Sequence, residues 1–126
     1  MGKKRVLLVD DEQDLLRLLK LNLERTGSYE VKLEENATQA LITARLFKPD
    51  IILLDVMMPL MNGDEVARGL KADEQLKGVP IVFLTASLTK QDKEQHKRAF
   101  GDSPILSKPM TPEQVIACIE RCLPAS

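Results

Sequence analysis

The chain has little aromatic content: tryptophan is absent, and one Tyr and three Phe make up 3% of 126 residues. Its interior must therefore be aliphatic. Long apolar runs are also missing, since none approaches the ~20 residues needed to span a bilayer. The basic start Met1-Gly2-Lys3-Lys4-Arg5 is followed only by a strand-length apolar run, which Asp10-Asp11-Glu12 ends. A signal peptide is not expected, and the chain reads as cytoplasmic with no membrane partner. Formal net charge is −1, so no basic excess points to direct nucleic-acid contact. The only cysteines are Cys118 and Cys122, and the single His96 is far off in sequence. A zinc site is therefore not expected, and the pair reads as small apolar residues on one helix face.

What is present is a sequence 44% hydrophobic and 29% charged, of a length that suits one domain over residues 1–126. Its centre is the run from Pro49 to Pro59, in which Ile51-Ile52-Leu53-Leu54 leads straight into Asp55. Alternation is absent, so both faces want to be dry, as in a central strand of a covered parallel sheet. The bracketing prolines argue against a buried helix. Asp55 suits a ligand crevice at the carboxyl end of such a strand; it also suits a cap on the next element.

The rest alternates strand and helix. Arg5 to Val9 is a second buried strand, ending in Asp10-Asp11. Glu12 to about Thr26 is predicted helical, with Leu15, Leu16, Leu19 and Leu23 as its stripe and Leu18 and Leu21 widening it; Gly27 stops it. Tyr29 to Leu33 alternates like a half-covered strand. Asn36 is a candidate N-cap for a helix carrying Ala37, Ala40, Leu41 and Ala44, which ends near Phe47 because Pro49 disfavours helix at Lys48. Leu60-Met61-Asn62-Gly63 is a turn signal, and Asp64 to about Asp73 a third helix. Val79 to Leu84 is a strand ending in Thr85-Ala86-Ser87. Thr89 to about Phe100 is a fourth helix, polar all round. Ser103 to Leu106 is a last strand leading to Ser107-Lys108-Pro109. Thr111 and Pro112 open a fifth helix with Val115, Ile116, Ile119 and Leu123 as its core stripe. Repeated βα units imply an α/β fold, a parallel sheet with helices on both faces.

The strand ends supply Asp10 and Asp11, Asp55, Thr85 and Lys108, which such a sheet gathers at one rim. Clustered carboxylates repel unless something positive joins them. Lys108 offers one charge and a hard divalent cation such as Mg2+ a second, with oxygen ligands from carboxylates and a backbone carbonyl; soft metals lack ligands. Metal, lysine and threonine hydroxyl together suit a phosphoryl group. Asp55 is the candidate nucleophile that would form an acyl phosphate. Asp10 and Asp11, adjacent to each other, are better placed as metal ligands.

These residues resemble a known set. The motif Asp10-Asp11-Glu12, Asp55-Val56-Met57-Met58-Pro59 with Asn62-Gly63, Thr85-Ala86, Gly101 and Lys108-Pro109 is similar to that of the receiver domains of two-component response regulators, over nearly the whole chain. The resemblance implies a single three-layer, flavodoxin-like domain with strand order 2-1-3-4-5 and five helices. It implies a phosphoacceptor, Asp55, that takes its phosphoryl group from a sensor histidine kinase or histidine phosphotransfer protein and controls a downstream protein target or a fused output domain. It implies a signalling domain, not an enzyme, with self-phosphorylation from small donors and slow self-dephosphorylation. Asp11 would be the direct metal ligand, Asp10 would act through water, and the Met57 backbone carbonyl would be a further ligand. Thr85 would be the switch hydroxyl, and Lys108, before a cis Pro109, would bind the phosphoryl group.

One departure falls at Ile105, where the family usually has the aromatic ring of its switch. Asp102 and the polar fourth helix are nearby, so the surface by the fourth helix and fifth strand is the expected partner face. Met57 and Ser87 flank the site, and Met57 offers no group to orient a water. Two other readings share these residues. A haloacid-dehalogenase-type phosphohydrolase would need an Asp two residues after its nucleophile, where Met57 stands. A receiver-like binding module that does not accept phosphate would have no need of the full acidic set.

Overall fold

The computed structural model describes residues 2–56, 63–85, 101, 103–108 and 110–123, with only the backbone of 63 and 64. Five parallel strands form one sheet in the order β2-β1-β3-β4-β5. They are β1 Lys4–Val9, β2 Tyr29–Glu34, β3 Ile51–Asp55, β4 Ile81–Thr85 and β5 Ile105–Ser107. The described helices are α1 Gln13–Arg25, α2 Ala40–Phe47, α3 Gly63–Ala72 and α4 Pro112–Cys122. The predicted helix from Thr89 to about Phe100, with His96, lies outside the described residues, as does the turn at 60–62.

The unbroken aliphatic runs become the central strands because each faces a core on both sides. Leu7, Val9, Ile52, Leu54 and Phe83 pack on the α2 and α3 side, with Ala40, Ala44, Val66 and Leu70. Val6, Leu8, Ile51, Leu53, Val82 and Leu84 pack on the other side against Leu16, Leu19 and Leu23 of α1 and Val115 and Ile119 of α4. Fully burying one such side chain contributes about 1.5–3 kcal/mol. Asp55 is the last residue of β3, and no residue of that strand is exposed.

Local signals set the ends. Gly27 adopts φ 80°, a left-handed turn that a Cβ would strain. Asn36 caps as expected, its side chain accepting from the Thr38 N–H, but it opens a 3₁₀ turn at Ala37–Gln39 before α2 begins. Lys48 ends the helix in a left-handed conformation at φ 56°, outside the right-handed helical region that the following Pro49 disfavours. Thr111 and Gln114 form a reciprocal capping box at the start of α4.

Two expectations need correction. Leu18 and Leu21 do not widen the buried stripe of α1: they are 56% and 50% exposed. Only one face of α1 meets the sheet, and these two residues lie off it. The buried stripe of α4 includes Cys118, whereas Ile116 and Leu123 are only partly covered. Strand bounds also shift by one to two residues. Residue 85 belongs to β4, and the last strand starts at Ile105 rather than Ser103.

Candidate functional site

Parallel strands all present their carboxyl ends at one edge of the sheet. Asp10 and Asp11 follow β1, Asp55 ends β3, Thr85 ends β4 and Lys108 follows β5. Carboxylate oxygens of Asp10, Asp11 and Asp55 lie within 4.8 Å of one another. Asp10, Asp55 and Thr85 are buried, while Asp11 is exposed. Thr85 stands one strand from Asp55, and its backbone carbonyl accepts from the Lys108 N–H at 2.7 Å. That bond fixes where the lysine leaves β5.

The Lys108 ammonium reaches across the rim. It is 3.2 Å from Asp55 Oδ2 and 2.7 Å from Glu12 Oε1. It is also 2.7 Å from Asp10 Oδ2, close enough for an ion pair but off the angles of a hydrogen bond. The other Asp10 oxygen accepts from the Glu12 backbone N–H at 3.1 Å. Burial pushes the Asp10 carboxyl above its ordinary value; the Lys108 contact and the Glu12 N–H oppose this, and the Asp55 charge reinforces it. Burial alone would lower the Lys108 ammonium, but the Asp10 and Glu12 contacts and the Asp55 charge together push it above its ordinary value.

Charge is thus unbalanced. Among the described residues, Asp10, Glu12 and Asp55 face one lysine, and the Asp11 carboxylate lies close to those of Asp10 and Asp55. Asp10 Oδ2 is buried without an aligned donor. Hard oxygen ligands, negative charge in excess and an incompletely satisfied buried oxygen fit a hard divalent cation. Cys118 lies in the core cluster with α1 and the sheet, so among the described residues the clustered donors are all carboxylate oxygens.

Sequence reasoning placed Glu12 in the motif but gave it no contact with Lys108. The available signal was chemical: Glu is not among the favoured N-cap residues. Ile105, at the position of the expected ring, is half-buried and packs beside its register partner Phe83. Met57, Pro59, Asn62, Ala86, Ser87, Asp102 and Pro109 lie outside the described residues, and with them the backbone carbonyl and cis bond expected there.

Comparison with known proteins gives one family. Residues 6–120 match the model for the response regulator receiver domain. The alkaline phosphatase synthesis transcriptional regulatory protein PhoP of Bacillus subtilis is 38% identical over 120 residues, 95% of this chain and 48% of PhoP. The DNA-binding response regulator MtrA of Mycobacterium tuberculosis is 38% identical over 115 residues, 91% of this chain and 48% of MtrA. The chain thus spans about half the length of these curated relatives. Their names conflict with the expectation of no direct nucleic-acid contact. Among solved structures, the chemotaxis protein CheY4 of Vibrio cholerae superposes with a TM-score of 0.87 at 32% identity, covering 97% of this chain and 100% of that one. The receiver domain of a Pseudomonas aeruginosa sensor histidine kinase, with magnesium coordinated in its active-site cleft, gives 0.84 at 29% identity, covering 95% and 97%.

Proposed function

We propose, from the premise that this chain belongs to the response regulator receiver domain family, that Asp55 is its phosphoacceptor and that residues 1–126 form one receiver domain. The domain is a phosphorylation-dependent switch of two-component signalling. Receiver domains take phosphoryl groups from histidine kinases and bind Mg2+ at their acidic site; no helix among the described residues is long and apolar enough to cross a membrane. The single observation that carries the assignment is the contact between Lys108 and Asp55, 53 residues apart in sequence and 3.2 Å apart in space.

Asp10, Asp11 and Asp55, with the Met57 carbonyl, would hold the cation. When bound, the metal supplies positive charge that neutralises phosphoryl oxygens. An Asp55 carboxylate oxygen attacks the phosphorus of a donor phosphohistidine. An O–P bond forms and the P–N bond breaks; the imidazole keeps that electron pair and takes up a proton. Lys108 holds a phosphoryl oxygen as charge gathers on it, and the Thr85 hydroxyl donates to another. A smaller donor such as acetyl phosphate would react in the same way, with acetate leaving.

The donor would be a sensor histidine kinase or a histidine phosphotransfer protein. The output would be a surface beside β5, acting on a partner protein or a fused domain, which in relatives such as MtrA is DNA-binding by name. Beside β5 lies a groove of about 800 Å³ against α4, the fifth helix expected from the sequence, lined by Ile105, Gln114, Ala117, Glu120 and Arg121; the predicted fourth helix lies outside the described residues. Ile105 carries no phenolic hydroxyl, so the output would not depend on an aromatic ring at this position. Because Met57 cannot orient a water, the acyl phosphate should outlast seconds.

The test is intact-mass measurement after treatment with acetyl phosphate and magnesium. Wild type should gain one phosphoryl group and Asp55→Asn none. An equal gain in both would remove Asp55 from its role. Sustained turnover of small phosphate esters would instead favour a phosphohydrolase.

A further inference from the structure

Glu12 departs from local helix chemistry. It occupies the N-cap of α1, yet its side chain makes no capping hydrogen bond. Ser, Thr, Asp and Asn are the residues that cap well, because their short side chains reach the free N–H groups. The Glu12 carboxylate reaches Lys108 instead, 96 residues on and 2.7 Å away.

An ammonium has three N–H donors, and here three carboxylates face them, with Asp55 the most distant at 3.2 Å. Asp10 and Asp55 also belong to the carboxylate group that fits a divalent cation, and Glu12 does not. Lysine and metal therefore compete for the same two charges. The Glu12 side chain is 58% exposed, against 0% for Asp10 and 4% for Asp55. Water already solvates Glu12, so it can tether the ammonium without needing it. We infer that Glu12 is a positioning residue for Lys108: by holding one N–H at the solvent side, it keeps the ammonium from closing fully on Asp10 and Asp55 and leaves them free to bind magnesium. This rests on the reading of the rim as a magnesium site.

The experiment is a double-mutant cycle on magnesium affinity, measured by calorimetry without phosphodonor on the whole chain. In the wild-type background, Glu12→Gln should weaken magnesium about three- to ten-fold, toward the low end of coupling between contacting residues. With Lys108→Met, where no ammonium competes, the same change should cost less than about two-fold, the screened effect of one lost charge. Glu12→Asp keeps the charge and improves the cap but shortens the reach by one methylene; it should follow Glu12→Gln. Equal losses in both backgrounds, or wild-type affinity in Glu12→Asp and Glu12→Gln alike, would overturn the inference while sparing the magnesium site. Failure of the wild type to bind magnesium would overturn both.

Discussion

Replacing Lys108 by Met tests the charge balance of the rim most directly. Among the described residues the Lys108 ammonium contacts Asp10, Glu12 and Asp55 together, and its side chain is only 10% exposed. Removing one member of a fully buried pair costs about 3–5 kcal/mol, because the other charge is left uncompensated. Here the site opens at the rim and Glu12 remains hydrated, so about 2–3 kcal/mol is expected at neutral pH. The pH dependence has a definite sign. The folded-state ammonium is raised above its ordinary value of 10.5, so its own titration leaves the contribution complete below that value and removes it as pH rises through the folded one. On the acid side the penalty of Lys108→Met should vanish as the carboxylates protonate. The Asp10 carboxyl, raised above its ordinary 3.8 by burial, takes part in that loss. Magnesium should narrow the gap at neutral pH, since ligand at ten times its Kd adds about 1.4 kcal/mol of stability and the variant should bind it more tightly. Urea denaturation at pH 7 and pH 4, with and without magnesium, measures all three effects. A Lys108→Met protein as stable as wild type at pH 7 in chelator would refute the argument.

Other expectations follow from packing, capping and charge. Leu19→Ala should cost about 2–5 kcal/mol, whereas Leu18→Ala, on the exposed face of the same helix, should stay within about 0.5 kcal/mol; thermal unfolding of both checks which face is buried. Thr111→Ala removes half of the capping box of α4 and should cost about 1 kcal/mol in denaturant unfolding. The hydrogen bond from Arg45 is the largest influence holding Asp73 below its ordinary 3.8. Its stabilising effect should be present above that value and be lost as pH falls through the lower folded one, so Asp73→Asn and wild type should converge in Tm in strong acid.

The sheet could be read from the sequence because its central strands are buried on both sides, and burial on both sides leaves an unbroken aliphatic run. The rim could be read because parallel strands make sequence order into spatial order: whatever follows β1, β3, β4 and β5 must meet. Exposure on α1 was harder to read. Leu18 and Leu21 are as apolar as Leu16 and Leu19, and only the angle at which the helix meets the sheet separates them. The Glu12 contact was hidden for another reason. It joins residues 12 and 108 through long, flexible side chains whose meeting depends on the register of β5, and no local periodicity encodes such a pair.

That dependence on β5 has a consequence for how a change at the rim spreads. Asp10 and Asp55 stand at the ends of β1 and β3, where the strand order reverses direction, and these strands are anchored by Leu7, Leu8, Leu53 and Leu54, all fully buried. Lys108 instead follows β5, a three-residue edge strand with no fully buried residue. Its tie to the neighbouring strand runs through the Thr85 carbonyl and the register pairs of Phe83, Leu84 and Thr85. Moving a carboxylate would strain the core, whereas moving the lysine strains only an edge with few apolar contacts. A phosphoryl group that draws Lys108 away from Glu12 therefore meets least resistance along β5. The displacement would fall on the strand that carries Ile105 and lines the groove against α4, so under the proposed function the cheapest mechanical response to charge at Asp55 would be a change in that face.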